Sequence, residues 1–130
     1  MKTYVIAIAV IKYKNKYLIG KRAATKKFAP NKWEFISGFV DTKETAEEII
    51  LRELMEETGL NGKILKSGNP FVFEDDEGRW INVPFLIESG SDKFTINKKD
   101  HSEMKWVSLK ELEQYPDLTE IKELKERKFF

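Results

Sequence analysis

The stretch from Gly38 to Leu60, GFVDTKETAEEIILRELMEETGL, constrains this chain more than any other. It reads as a tight loop, a helix and a glycine stop at Gly59. Glu53, Glu56 and Glu57 are spaced i, i+3, i+4, which gathers them on one helical face. The same face carries Ala46, Ile49 and Ile50 from the helix's first half. One stripe therefore turns from apolar to triply anionic. Like charges so placed, and partly shielded from water, repel one another unless a cation lies among them. Hard oxygen donors at close quarters suit Mg²⁺ or Mn²⁺. An ordinary solvated face is the plainer account of Glu47, Glu48, Glu56 and Glu57 taken as pairs. The complete spacing decides between the two.

That spacing is Gly38, five residues, Glu44, seven residues, Arg52-Glu53-Leu54, one residue, Glu56-Glu57, one residue, Gly59-Leu60. It matches the Nudix box at every fixed position, and the chain resembles the Nudix hydrolase family. The resemblance implies one Nudix domain over residues 1–130, of α/β (α+β) class, an α/β/α sandwich with a mixed sheet between helices. It implies Glu53, Glu56 and Glu57 as metal ligands, joined by the backbone carbonyl just before the box glycine, here Ser37. Relatives commonly read WEFPGG before the box, whereas here Trp33-Glu34-Phe35 runs into Ile36-Ser37-Gly38. A carbonyl ligand does not depend on its side chain, so this departure touches the loop more than the donor. Arg52 is expected to pair with Glu44 and so fix the carboxylates' orientation.

With 130 residues the chain can bury one sizeable core. Its 41% hydrophobic and 35% charged residues fit a globular protein and exclude a disordered one. A net charge of +1 exerts no global pull toward nucleic acid or membrane. Without cysteine there is neither disulfide nor thiol chemistry, and a reducing cytoplasm is the expected home. The N-terminal apolar run is too short to span a bilayer, and no cleavage site follows it.

Thr3–Tyr13 is predicted as a buried strand, turning at Lys14-Asn15-Lys16 into a second strand at Tyr17–Arg22. The loop 23–32 is basic, with Lys26, Lys27 and Lys32 beside Lys21 and Arg22. Phosphate attraction and plain solubility account for it equally. Trp33–Ile36 reads as a short strand, and Thr42 or Thr45 as the helix cap. Lys63–Lys66, Phe71–Glu74 and Trp80–Glu88 look extended, with Pro84 marking an edge or bulge and Asp75–Gly78 a hairpin tip. Met104–Val107 is a further strand. Ser108 and Glu111 form a capping box, and a last helix runs from Leu118 to Arg127. Strands alternating with a few helices predict a mixed sheet covered on both faces.

A polyphosphate is a dense anion that water does not attack unaided. Dications held by carboxylates offset that charge and activate water, so catalysis is mostly positioning and electrostatics. Glu53 or Glu56, assisted by Glu103 or Asp100 in the segment before Trp106, is the expected general base. His101, the single histidine, reads as a base, a substrate contact or, most commonly for such a residue, an exposed bystander. Arg22, Lys32, Phe35 and Gly38 are the candidate substrate contacts, and Trp33, Phe35, Phe73 and Trp80 could offer a base-stacking surface. Relatives acting on ADP-ribose carry a downstream proline, and those on diadenosine polyphosphates a tyrosine. At the matching stretch, Glu74–Gly78, this chain has neither. The MutT-like group remains, implying Mg²⁺-dependent cleavage of a (deoxy)nucleoside triphosphate, with Mn²⁺ as substitute. A small-molecule nucleotide is then the partner, with neither membrane nor stable nucleic acid, and relatives are often homodimers. The alternatives are a dinucleotide, nucleotide-sugar or RNA 5′-end pyrophosphohydrolase, or a non-catalytic nucleotide-sensing module. An isoprenyl diphosphate isomerase is disfavoured by the absence of cysteine.

Overall fold

β1, Thr3–Tyr13, is the strand on which the other elements are laid out in the computed structural model, which describes residues 1–130. Its residues alternate between two cores. Ala7, Ala9 and Ile11 enter one, and Ile8 and Val10 enter the other. A strand buried on both faces must be apolar throughout, which is why its sequence lacks the usual polar alternation. β2, Lys16–Arg22, returns antiparallel through a turn in which Lys14 takes a φ of 52°.

Two short strands follow. β3, Trp33–Glu34, pairs with β2, whereas β4, Ile36–Phe39, pairs antiparallel with β1 from Ile6↔Phe39 to Ala9↔Ile36. The single strand predicted for Trp33–Ile36 is thus two. The chain changes partners at Phe35, whose side chain is 1% exposed and anchors the break in the core. The box helix α1, Ala46–Thr58, follows. β5, Gly62–Ser67, β6, Phe71–Asp75, and β7, Gly78–Ser89, complete that side of the sheet. β7 runs parallel to β1 from Thr3↔Arg79 to Lys12↔Glu88. β8, His101–Val107, pairs with β2. The result is a mixed eight-stranded sheet with the path β3-β2-β1-β7-β5.

Pro84 does not mark an edge. β7 lies between β1 on one side and β5 and β6 on the other, and Pro84 falls between the last β6 pair at Asn82 and the first β5 pair at Phe85. Its carbonyl accepts from Gly68 N–H at 3.0 Å on that side, so its missing N–H faces the gap where no ladder partner exists.

α1 covers the Ala7 face, with Ile49, Ile50 and Leu54 fully buried. Thr45, rather than Thr42, caps it. Its hydroxyl accepts from Glu48 N–H at 3.2 Å, and the Glu48 carboxylate accepts from Thr45 N–H at 3.0 Å. Gly59, at φ 71°, ends it by donating its N–H to the Met55 carbonyl. The short α2, Leu109–Leu112, opens on the expected Ser108 and Glu111 capping box. α3 spans only Ile121–Glu126, not Leu118–Arg127, and Leu118 enters the second core from the turn before it. Both helices cover the Ile8 face, giving the predicted layers. No helix is long and apolar enough to cross a membrane.

Leu54→Ala should cost about 2–5 kcal/mol of unfolding free energy, because it opens a cavity between α1 and the sheet. Leu51→Ala, on the outer face of α1 and 37% exposed, should stay within about 0.5 kcal/mol. Urea titrations of both variants check the contrast.

Candidate active site

A cavity of about 640 Å³ opens on the α2 and α3 side of the sheet. Ile6, Ser37, Phe39, Phe73 and Trp80 form its floor. They share a face by register, through Ile6↔Phe39, Ile8↔Ser37 and Phe73↔Trp80. One wall is the loop between β2 and β3, with Lys26, Phe28, Ala29 and Lys32. The other is Asp117, Thr119 and Glu120, ahead of α3. At one end, beyond Gly38, the cavity reaches Glu53 and Glu57 of α1.

The floor and the loop meet in an aromatic cluster. Tyr4 stacks on Trp80 at 4.4 Å between centroids, and Phe28 meets Trp80 edge-on at 5.0 Å. Tyr4, Phe28 and Phe39 carried no sequence signal beyond being aromatic, because their meeting depends on long-range register. The loop that carries Phe28 holds Ala29 at φ 44° and Asn31 at φ 64°. Non-glycine residues adopt such angles only where surroundings over-determine them. Here Arg22 supplies part of that hold, its Nε donating to the Phe28 carbonyl at 2.8 Å.

At the acidic end the anionic stripe proves graded. The Glu56 side chain is 54% exposed, Glu53 24% and Glu57 only 7%. Arg52 grips Glu44 with two bonds, Nε to Oε2 at 2.9 Å and Nη2 to Oε1 at 2.8 Å. Its Nη1 reaches Glu53 at 3.4 Å and both oxygens of Glu56 at 3.3 Å. A planar fork with this many acceptors cannot be replaced by a lysine point charge. The Arg52 contact, foremost, also holds the Glu44 carboxyl below its ordinary range. Gly38 lets β4 lie against the helix here, since a Cβ would come within 2.7 Å of Glu53 Cγ.

Behind Glu57 lies the main departure from expectation. His101 is wholly buried, not an exposed bystander. Its Nε2 lies 2.8 Å from Glu34 Oε2, and its Nδ1 lies 3.6 Å from Glu57 Oε1. Arg22 Nη1 in turn donates to Glu34 Oε1 at 2.9 Å. Arg22 is therefore tied to Phe28 and Glu34, lining the cavity while holding its parts together. The missed residue is Glu34. A carboxylate in a strand between Trp33 and Phe35 demands partners, and that demand was the available clue.

The remaining candidates divide. Asp100 lines the cavity and is held by Lys26 Nζ at 2.8 Å. Lys32 lines it with a largely exposed side chain, 3.9 Å from Asp117. Ser37 lines it too, and the bond from Val40 N–H to the Val5 carbonyl sets the ladder so that the Ser37 carbonyl turns away from β1. Glu103 points elsewhere, facing Lys21 at 3.8 Å with its side chain 62% exposed. Phe35 lies in the core with no face toward the cavity. Trp33 and Phe73 border the cavity as well.

No three acidic or histidine side chains converge to ligand distance, and Glu56 is engaged by Arg52 at 3.3 Å. Glu53 and Glu57 are nevertheless side by side, and Glu57 Oε2 is buried with no hydrogen-bond partner. Burial foremost, then the Glu53 carboxyl and the charges of Glu34 and Asp100, push Glu57 well above the usual carboxylate range. An orphaned carboxyl oxygen among hard donors fits a small dication.

Comparison with known proteins agrees with this geometry. A family model described as the NUDIX domain matches residues 2–127. The chain belongs to the Nudix family. It is a Nudix hydrolase, 30% identical over 127 residues to a Nucleoside triphosphatase NudI from Klebsiella pneumoniae strain 342, covering 88% of this chain and 89% of that one. The MutT protein from Methanosarcina mazei Go1 superposes with a TM-score of 0.81 at 24% identity, over 98% of this chain and 89% of that one. A Caenorhabditis elegans Ap4A hydrolase gives a TM-score of 0.78 at 19% identity, over 95% and 93%. At those identities the two structures speak for the Nudix fold alone.

Glu120 generates a pH prediction. Burial foremost, with the charge of Glu34, pushes its carboxyl up to about 7. A carboxyl raised on folding favours the native state while protonated, so its contribution is full below the unfolded value and fades as pH rises through about 7. Glu120→Gln, which fixes the neutral form, should flatten the pH dependence of thermal stability. Its melting temperature should gain on the wild type between about pH 5 and pH 8. Melting curves in chelating buffer read this out.

Proposed function

We propose that this protein is a Mg²⁺-dependent hydrolase of nucleoside 5′-polyphosphates, cleaving a (deoxy)nucleoside triphosphate to the monophosphate and pyrophosphate. One observation carries the reading. A single cavity joins an aromatic floor and wall, suited to a nucleobase, to a buried Glu57 and half-buried Glu53 suited to a polyphosphate-bound dication. The relative named as a nucleoside triphosphatase supports the same substrate class.

Phe28, Phe39 and Trp80 would hold the base by stacking, leaving the phosphates to run toward α1. Glu53 and Glu57, with the Ser37 carbonyl, would hold the ion, and Glu56 joins them on leaving Arg52. Mg²⁺ held by these residues would offset phosphate charge and lower the pKa of water. Arg52 keeps Glu44 and Glu53 in place, so carboxylate orientation is set before substrate arrives. Glu53 accepts the proton of the attacking water, with Asp100 on the same cavity as its assistant. Water's oxygen bonds to phosphorus as the anhydride P–O bond breaks, and pyrophosphate leaves with the electron pair. Glu103, outside the cavity and facing Lys21, is poorly placed for that proton transfer, and Glu56 is engaged by Arg52 or, once released, by the ion.

Product release from a panel of nucleoside triphosphates, nucleotide sugars, dinucleoside polyphosphates and 5′-triphosphorylated RNA tests the assignment. Triphosphates should turn over fastest with Mg²⁺ and not at all with excess chelator. Turnover undiminished by chelator would refute the reading. Glu53→Gln should lower kcat by about 100-fold or more, while Glu103→Gln stays within about twofold. Trp80→Ala should raise KM several-fold with little change in kcat, the mark of lost ground-state binding.

A further inference from the structure

We infer that His101 is a positioning residue for the ion site, holding Glu57 from behind, and that Arg22 and Glu34 hold His101 in turn. The inference rests on the proposed function. Its starting point is a pair of orphans. His101 Nδ1 and Glu57 Oε2 are buried side-chain polar atoms with no hydrogen-bond partner, and Nδ1 lies 3.6 Å from the other Glu57 oxygen. Buried polar groups without partners are rare, and an unpartnered Nδ1 standing 3.6 Å from Glu57 Oε1 marks an unfinished contact.

The other edge of the ring is already fixed. Glu34 is a carboxylate held by Arg22 at 2.9 Å and can only accept, so His101 Nε2 carries the hydrogen between them. That bond sets the ring plane and leaves Nδ1 aimed at Glu57, where one hydrogen, carried by Nδ1 or by the Glu57 carboxyl, closes the contact. β2 makes room for this arrangement. A Cβ at Gly20 would fall 2.6 Å from His101 Cδ2 and 2.9 Å from Nε2. The fold thus gives up a side chain on β2 to admit a ring that reaches from Glu34 to Glu57. Once a hydrogen joins Nδ1 to Glu57 Oε1, the unpartnered Oε2 is the oxygen left for the ion. The same guanidinium anchors Phe28, so the base wall and the ion site share one support.

The test uses Mn²⁺ alone, bound to resting full-length protein without nucleotide and followed by electron paramagnetic resonance. Circular dichroism first establishes that each variant is folded. His101→Ala should weaken Mn²⁺ binding about 10- to 100-fold. His101→Asn places an amide where Nδ1 was and should recover part of that affinity. His101→Gln places one where Nε2 was and should not. If His101→Ala does not fold, Gly20→Ala displaces the ring without removing it. It should weaken Mn²⁺ similarly, and Gly20→Ala with His101→Asn should be no worse than His101→Asn alone. Folded His101→Ala or Gly20→Ala with Mn²⁺ affinity within twofold of wild type overturns the inference and leaves the proposed function standing. Wild-type protein that binds no Mn²⁺ and cleaves no nucleotide overturns both.

Discussion

Everything in this molecule accommodates negative charge set against an apolar core. Leu54 and Glu57 occupy neighbouring positions on α1, one in the core and the other sealed beside it. Such an arrangement is unstable unless each carboxylate is answered. Arg52 answers Glu44, Glu53 and Glu56 from the exposed side, whereas Glu57 has only a histidine ring behind it and Glu53 beside it. The site is therefore asymmetric, saturated with donors at its outer rim and short of positive charge at its inner one. A dication is the natural complement to the inner side.

The sheet makes that arrangement possible by bringing distant segments to a single end. β4 carries Gly38 against Glu53, β3 carries Glu34 against His101, and β8 starts at His101 against Glu57, so three strands meet at the acidic end of α1. The partner change at Phe35 matters most. Had Trp33–Phe39 stayed one strand, Glu34 and Gly38 would lie along a common ladder. Instead the chain crosses from β2 to β1, setting Glu34 against His101 and Gly38 against Glu53.

Much of this was legible from local pattern. The box helix, its glycine stop, the double-faced β1 and the pairing of Arg52 with Glu44 follow from spacing, because each depends on residues close in sequence or on an unbroken apolar run. What sequence could not disclose depends on register between remote strands. Trp80 meets Tyr4 and Phe28 only because β7 runs parallel to β1, and no periodicity announces a parallel partner far along the chain. The burial of His101 is hidden for the same reason, since a lone histidine between polar neighbours reads as surface until Gly20 and Glu34 are seen around it. Pro84 reads as an edge or bulge because its missing N–H is visible in sequence, whereas the handover between β6 and β5 is not.

The loop bearing Phe28 has a thermodynamic corollary. Two of its residues sit in left-handed backbone and its carbonyl is pinned by Arg22, so its shape is already chosen in the free protein. A ligand arriving there need not freeze a wandering segment, and little of the binding free energy is spent on ordering. Recognition then resembles docking onto a finished surface, with discrimination resting on fit and encounter rates unburdened by a search for the closed form.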